Sequence, residues 1–212
     1  MEKVVERNPV IEKKSVNNIM IALYAFVVIS FFITIVDIII RFPLQSEMID
    51  YNDIQAIVIN VLALLIQIVF FAYGFVNAIR GMLSPKRMGA VIVAFFAATC
   101  ITGTGNMVIN SNVQIILWWI VLIIPNIVGA VATFAYFVSG KKSTIYSIII
   151  YLAAICGMFR IIYSNYNLIV HANQYLSMNS TVRLVLGIAI HCLVIYQTYV
   201  LWIKRQNAID IS

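Results

Sequence analysis

Six times along this chain a run of about 20 apolar residues recurs, which is the length a helix needs to cross roughly 30 Å of hydrocarbon. The runs cover residues 18–42, 54–79, 88–109, 113–138, 145–170 and 181–203, with only short polar segments between them. Lipid offers no hydrogen bonds to a peptide backbone, so each run must satisfy its own N–H and C=O groups as a helix. The chain therefore reads as all-α: a polytopic membrane protein with a single bundle of six transmembrane helices. The connections are short enough to force neighbouring helices antiparallel, as three hairpins. Residues 1–17 form an N-terminal tail, 18–204 the transmembrane domain and 205–212 a C-terminal tail. The first run begins near Ile19, is too long for a signal-peptide core and lacks a small-residue cleavage site.

Charge fits the same picture. Only 10% of residues are charged and 63% are hydrophobic, against about 25% charged in an average soluble domain. The net charge of +6 does not point to nucleic acid, because the cations stand in small clusters between the apolar runs, where topology accounts for them. Lys3, Arg7, Lys13, Lys14, Arg80, Lys86, Arg87, Lys141, Lys142, Lys204 and Arg205 all fall at one end of the bundle. The other end has Arg41, Arg183 and an acidic loop with Glu47, Asp50 and Asp53. Positive loops stay inside, so the expectation is a multi-pass cell-membrane protein with both termini cytoplasmic. Tyr51, Tyr166 and Tyr175 at one face, with Tyr136 and Trp202 at the other, are expected to form aromatic belts.

Polar side chains within the runs are the candidate functional groups. Counting from the outer ends at 1.5 Å per residue, Asp37, Asn60, Thr104, Asn106, Arg160 and His191 all fall in the outer half of the bilayer, with Asn126 near the midplane. A convergent polar pocket open to the outside is one reading. Scattered interhelical hydrogen bonds, each contributing about 0.6 kcal/mol, are the other. Arg160 carries the most weight, because a guanidinium cannot shed its charge and so needs a carboxylate, carbonyls, water or a ligand. Asp37 lies roughly 6 Å from it in depth, so either an Asp37–Arg160 ion pair or an Asp37 carboxylate reaching the outer headgroups is expected. His191 reads either as a proton relay or as a neutral ring bonded to a neighbour. Pro125 removes a backbone hydrogen bond beside Asn126, and Thr102–Asn106 contains two glycines. Both stretches read as broken-helix binding elements or as ordinary close packing.

Several chemistries are excluded or disfavoured. Cys100, Cys156 and Cys192 form no CxxC pair and read as small buried hydrophobes. Only two histidines are present, so no metal site is implied, and no cofactor. Neither HExxH, GxSxG, a P-loop nor a dinucleotide fingerprint occurs, which argues against an enzyme, including an intramembrane lipid enzyme. Two classes remain. One is a small-molecule or ion permease, or its membrane-embedded binding subunit, with Arg160 holding an anionic group. The other is a non-catalytic accessory, immunity or assembly subunit that binds a membrane-protein partner or a second copy of itself through its helices. The bilayer itself is the common partner of both.

Overall fold

The computed structural model describes the backbone over residues 9–45, 51–109, 113–141, 143–171 and 178–209. It describes side chains over 18–36, 55, 58–103, 123–141, 143–163 and 184–204. All the regular structure among these residues is helical: α1 (Pro9–Gln45), α2 (Tyr51–Ile79), α3 (Pro85–Ile109), α4 (Val113–Thr133), α5 (Thr144–His171) and α6 (Met178–Ile209). Five of the six are long and apolar enough to cross a membrane, and α4 adds the apolar stretch Ile123–Val138. The chain is a helical-bundle membrane protein. Helices α1 and α6 run past the apolar runs, so α1 starts inside the expected tail and α6 extends beyond residue 204.

The helices form a ring in chain order. Each packs against its sequence neighbours, α6 closes the ring against α1, and α3 meets α6 across the middle. The expected hairpins are present but are not separate units, since α2–α3 and α4–α5 pack as α1–α2 and α5–α6 do. The stretches Phe95–Cys100 and Tyr151–Cys156 are similar in sequence but pack differently. Phe96 is buried while its counterpart Leu152 is exposed.

Helix α1 shows how a uniformly apolar sequence still specifies an inside. Met20, Tyr24, Val27 and Phe31 recur at steps of three and four and are buried. Ile19, Phe26, Ile29, Phe32, Ile33 and Val36 occupy the opposite face and are exposed, as a lipid-facing surface should be. Ser30 and Thr34 share the inner face and spend their hydroxyls on the carbonyls one turn back, Phe26 at 2.8 Å and Ser30 at 2.9 Å.

Two glycines end helices by adopting the left-handed backbone that other residues avoid. At Gly81 (φ 66°) the Met82 N–H donates to the Asn77 carbonyl at 2.8 Å and the Gly81 N–H to Ala78 at 3.0 Å, a Schellman cap on α2. At Gly140 (φ 71°) the same turn is one residue wider, with the Lys141 N–H reaching Ala135 at 3.0 Å. The widening reflects a π-helical turn, Phe134–Val138, that continues α4. One extra residue per turn rotates the helix phase, and it corrects one expectation. Tyr136, read as a surface belt residue, is turned into the core and stacks edge-on against Phe137 at 5.6 Å. The backbone irregularity in this half of α4 thus lies beyond Pro125, and α3 runs unbroken through Thr102–Asn106.

Candidate functional site

Helices α5 and α6 meet through two glycines. A side chain at Gly187 would collide with Ile161, its Cβ falling 2.6 Å from Cδ1, and one at Gly157 would fall on the imidazole of His191, 2.9 Å from Cδ2. Glycine inside a helix costs about 1 kcal/mol relative to alanine, and here it lets a ring and an isoleucine reach the opposite backbone. His191 is fully enclosed. Its Nδ1 lies 2.6 Å from the Gly187 carbonyl, which can only accept, so Nδ1 carries the proton and Nε2 turns its lone pair toward Gly157. The edge of the ring stands against Phe95 of α3, with centroids 5.0 Å apart and planes at 88°. His191 is therefore where three helices meet in the centre of the ring.

Arg160 stands one turn beyond Gly157 on α5, half-buried and within electrostatic range of His191. Asn126, buried on α4, joins the same layer. Gly129, one turn away on α4, abuts Ala153 of α5 and Phe96 of α3, and antiparallel packing then sets Asn126 at the depth of Gly157. Three of the sequence candidates, Arg160, His191 and Asn126, thus lie within about one helical turn of each other in depth on three consecutive helices. Asn60 is not among them: it occupies an exposed position on α2. The side chains of Asp37, Thr104 and Asn106 lie outside the described residues. Asp37 belongs to α1, which packs against α2 and α6, and α1 and α5 share no contact among the described residues. The expected Asp37–Arg160 pair therefore lies outside the described residues.

The rest of the charge inventory bears on Arg160. Between Asp53 and Asp210 the sequence contains no aspartate or glutamate, so helices α3, α4 and α5 and the loops joining them carry no carboxylate. An arginine at the bilayer centre costs about 2.5–3.5 kcal/mol on insertion scales, and here its own helix and the adjoining α4 supply only neutral groups.

Sequence reasoning missed a second polar cluster, nearer the termini. Gln197 of α6 donates through Nε2 to the hydroxyl of Tyr24 on α1, and both side chains are wholly buried. Gln197 Oε1 is buried as well, without a hydrogen-bond partner. The Tyr24 ring rests on Gly74 of α2, where a Cβ would come within 2.6 Å of Cζ. Phe71 packs against Tyr24, Phe31 and Phe95 and fills the remaining space. The termini half of the bundle is thus closed around a polar pair. Glutamine in α6 was visible as a polar residue, but its partner reads in sequence as one more aromatic residue in an apolar run.

Cys156 is exposed, in line with Leu152, Ile155 and Phe159 on the outer surface of α5, and so belongs to the lipid-facing side. No three His, Cys, Asp or Glu side chains gather as a metal site among the described residues. No protein-family model, curated protein or solved structure matches this chain.

Proposed function

We propose that this integral membrane protein is a permease for a small anionic solute, or the membrane-embedded binding subunit of one. The observation that carries the reading is the juxtaposition of a permanent cation, Arg160, with the histidine seated over Gly157, in a layer that Asn126 shares. A guanidinium attracts an anion and can bind two of its oxygens at once. The Asn126 amide offers donors, and His191 Nε2 can accept a proton carried by a protonated acid. Between this layer and the termini, Tyr24, Gln197 and Phe71 form a dry barrier that has to open for passage. Among the described residues, the exposed cations Arg80, Lys86, Lys141 and Lys204 stand at the termini end. By the charge rule that end is cytoplasmic in a cell membrane, and the solute enters from outside.

A second reading, a non-catalytic subunit that binds another membrane protein, draws support from the same dry barrier, since a subunit of that kind needs no path. The two separate in proteoliposomes. Purified protein reconstituted with a panel of labelled anions (chloride, phosphate, sulfate, acetate and lactate) is expected to move at least one of them, and Arg160→Gln to abolish that flux while the protein still melts cooperatively. An unaltered flux in Arg160→Gln would sink the assignment of the site. No flux, and no anion-dependent change in melting temperature, would favour the interaction subunit.

A further inference from the structure

The buried pair in the termini half offers more than a fastening. Gln197 and Tyr24 are both 0% exposed, and the bond between them uses one amide hydrogen and the acceptor side of the phenol. Gln197 Oε1 has no hydrogen-bond partner among the described residues, although it is buried with the rest of the side chain. The phenol also has a proton of its own to donate. A strong acceptor and a donor thus stand side by side in the interior, and leaving a buried acceptor unpaired is unfavourable. A group that pairs with both must accept from the phenol and donate to the amide through adjoining atoms. A neutral carboxylic acid does so: its carbonyl accepts, its O–H donates, and one carbon carries both.

The surroundings select against charge. The Tyr24 ring rests on Gly74 and packs against Phe71 with centroids 6.2 Å apart, and Phe71 extends the layer to Phe31 and Phe95. None of these groups is ionic. An anion entering the layer would lose its hydration without gaining a counter-charge, whereas a neutral acid loses far less. A dicarboxylic acid would bring a second carboxyl to a place with one donor–acceptor pair.

Gln197 follows His191 by six residues on α6, about 9 Å nearer the termini end. Around His191, α3 presents Phe95, and the charged group that acts on the ring is Arg160 of α5. We infer, building on the permease reading, that the solute is a short monocarboxylic acid, and that it crosses the Tyr24–Gln197 layer in its neutral form. Held at Arg160 it is an anion, with its proton on His191 Nε2. That proton returns to a carboxylate oxygen, and the imidazole reverts to its neutral form with Nδ1–H intact. In the next layer the acid O–H donates to Gln197 Oε1 and the Tyr24 O–H donates to the acid carbonyl. With the existing amide–phenol bond these close a ring of three hydrogen bonds. At the termini end the proton passes to water, so one proton moves with each acid and no net charge crosses.

The test uses the whole protein in proteoliposomes containing pyranine, with the membrane potential set by potassium and valinomycin. Labelled lactate, succinate, chloride and sulfate are supplied, and each rate is taken over that of protein-free vesicles. Lactate is expected to move with one proton each and at a rate indifferent to the potential, while the other three stay outside. Tyr24→Phe/Gln197→Leu leaves no polar atom unpaired in the layer, so it should fold, and its lactate flux should fall about tenfold. An unchanged flux in that folded variant would mean that the pair serves structure or holds only water, and would overturn the inference. Wild-type selectivity and proton count test it without any variant. Arg160-dependent flux of chloride or sulfate as fast as that of lactate would leave the permease standing and remove the acid-selective layer. Lactate flux that carries net charge would do the same. No flux of any solute would bring down the permease reading and this inference with it.

Discussion

Gly74 and Gly157 each receive a ring from a neighbouring helix, Tyr24 in one case and His191 in the other, but the polar tips of those rings meet different surroundings. The Tyr24 hydroxyl is engaged across the bundle by Gln197, in a layer that is 0% exposed and ringed by Phe31, Phe71 and Phe95. His191 instead bonds to a carbonyl of its own helix and turns its second nitrogen toward bare backbone, one turn from a half-buried arginine. The first arrangement ties three helices together. The second leaves chemistry available. The same local device, a glycine that admits a ring, therefore yields a structural fastening in one half of the bundle and a candidate site in the other.

The sharpest way to break the fastening is Gly74→Leu. Its Cβ alone falls within the Tyr24 ring, and overpacking of this kind costs about 3 kcal/mol or more, so the expected result is loss of cooperative melting in detergent. Next in size is Gln197→Leu, which strands the buried tyrosine hydroxyl and should destabilise by about 1–3 kcal/mol in denaturant titration. Adding Tyr24→Phe should recover most of that loss, because removing both polar partners leaves none unsatisfied. A double variant no more stable than Gln197→Leu would show that the pair does not act as a unit.

At the other socket, Gly157→Ala has two opposed effects. Alanine favours the helix by about 1 kcal/mol, while its methyl displaces the imidazole. Stability should stay within about 1 kcal/mol of wild type, whereas anion-dependent stabilisation disappears. If both were retained, the histidine would not belong to the site. The smallest effect is expected from Cys156→Ala, on the lipid-facing side of α5, which should change stability by about 0.5 kcal/mol or less and leave anion response untouched.

How far the sequence foretold this follows from the range of the interactions involved. Helices set by runs of apolar residues were legible because the signal is local and repeats: the expected spans and the observed helices coincide to within a few residues except at the chain ends, where α1 and α6 continue as helix through polar sequence. The Tyr24–Gln197 bond was not, because its partners are 173 residues apart and meet only once α6 closes on α1. Depth counting brought Arg160 and His191 near one level and left Asn126 at the midplane, but depth says nothing about azimuth. Asn60 has a suitable depth and faces away. The π-helical turn that buries Tyr136 left no mark in a uniformly apolar stretch.

Closure of the ring also has a consequence in time. Helix α1 touches only α2 and α6 among the described residues, so half of its binding surface belongs to a helix made long after it. At 5–20 residues per second, Tyr24 waits on the order of ten to thirty seconds for Gln197 to be made. Through that interval its hydroxyl and the face around it are turned toward lipid or toward the insertion machinery. The order of synthesis thus makes α6 the element that commits the others, and nascent chains arrested after α5 should remain open, extractable and sensitive to proteases.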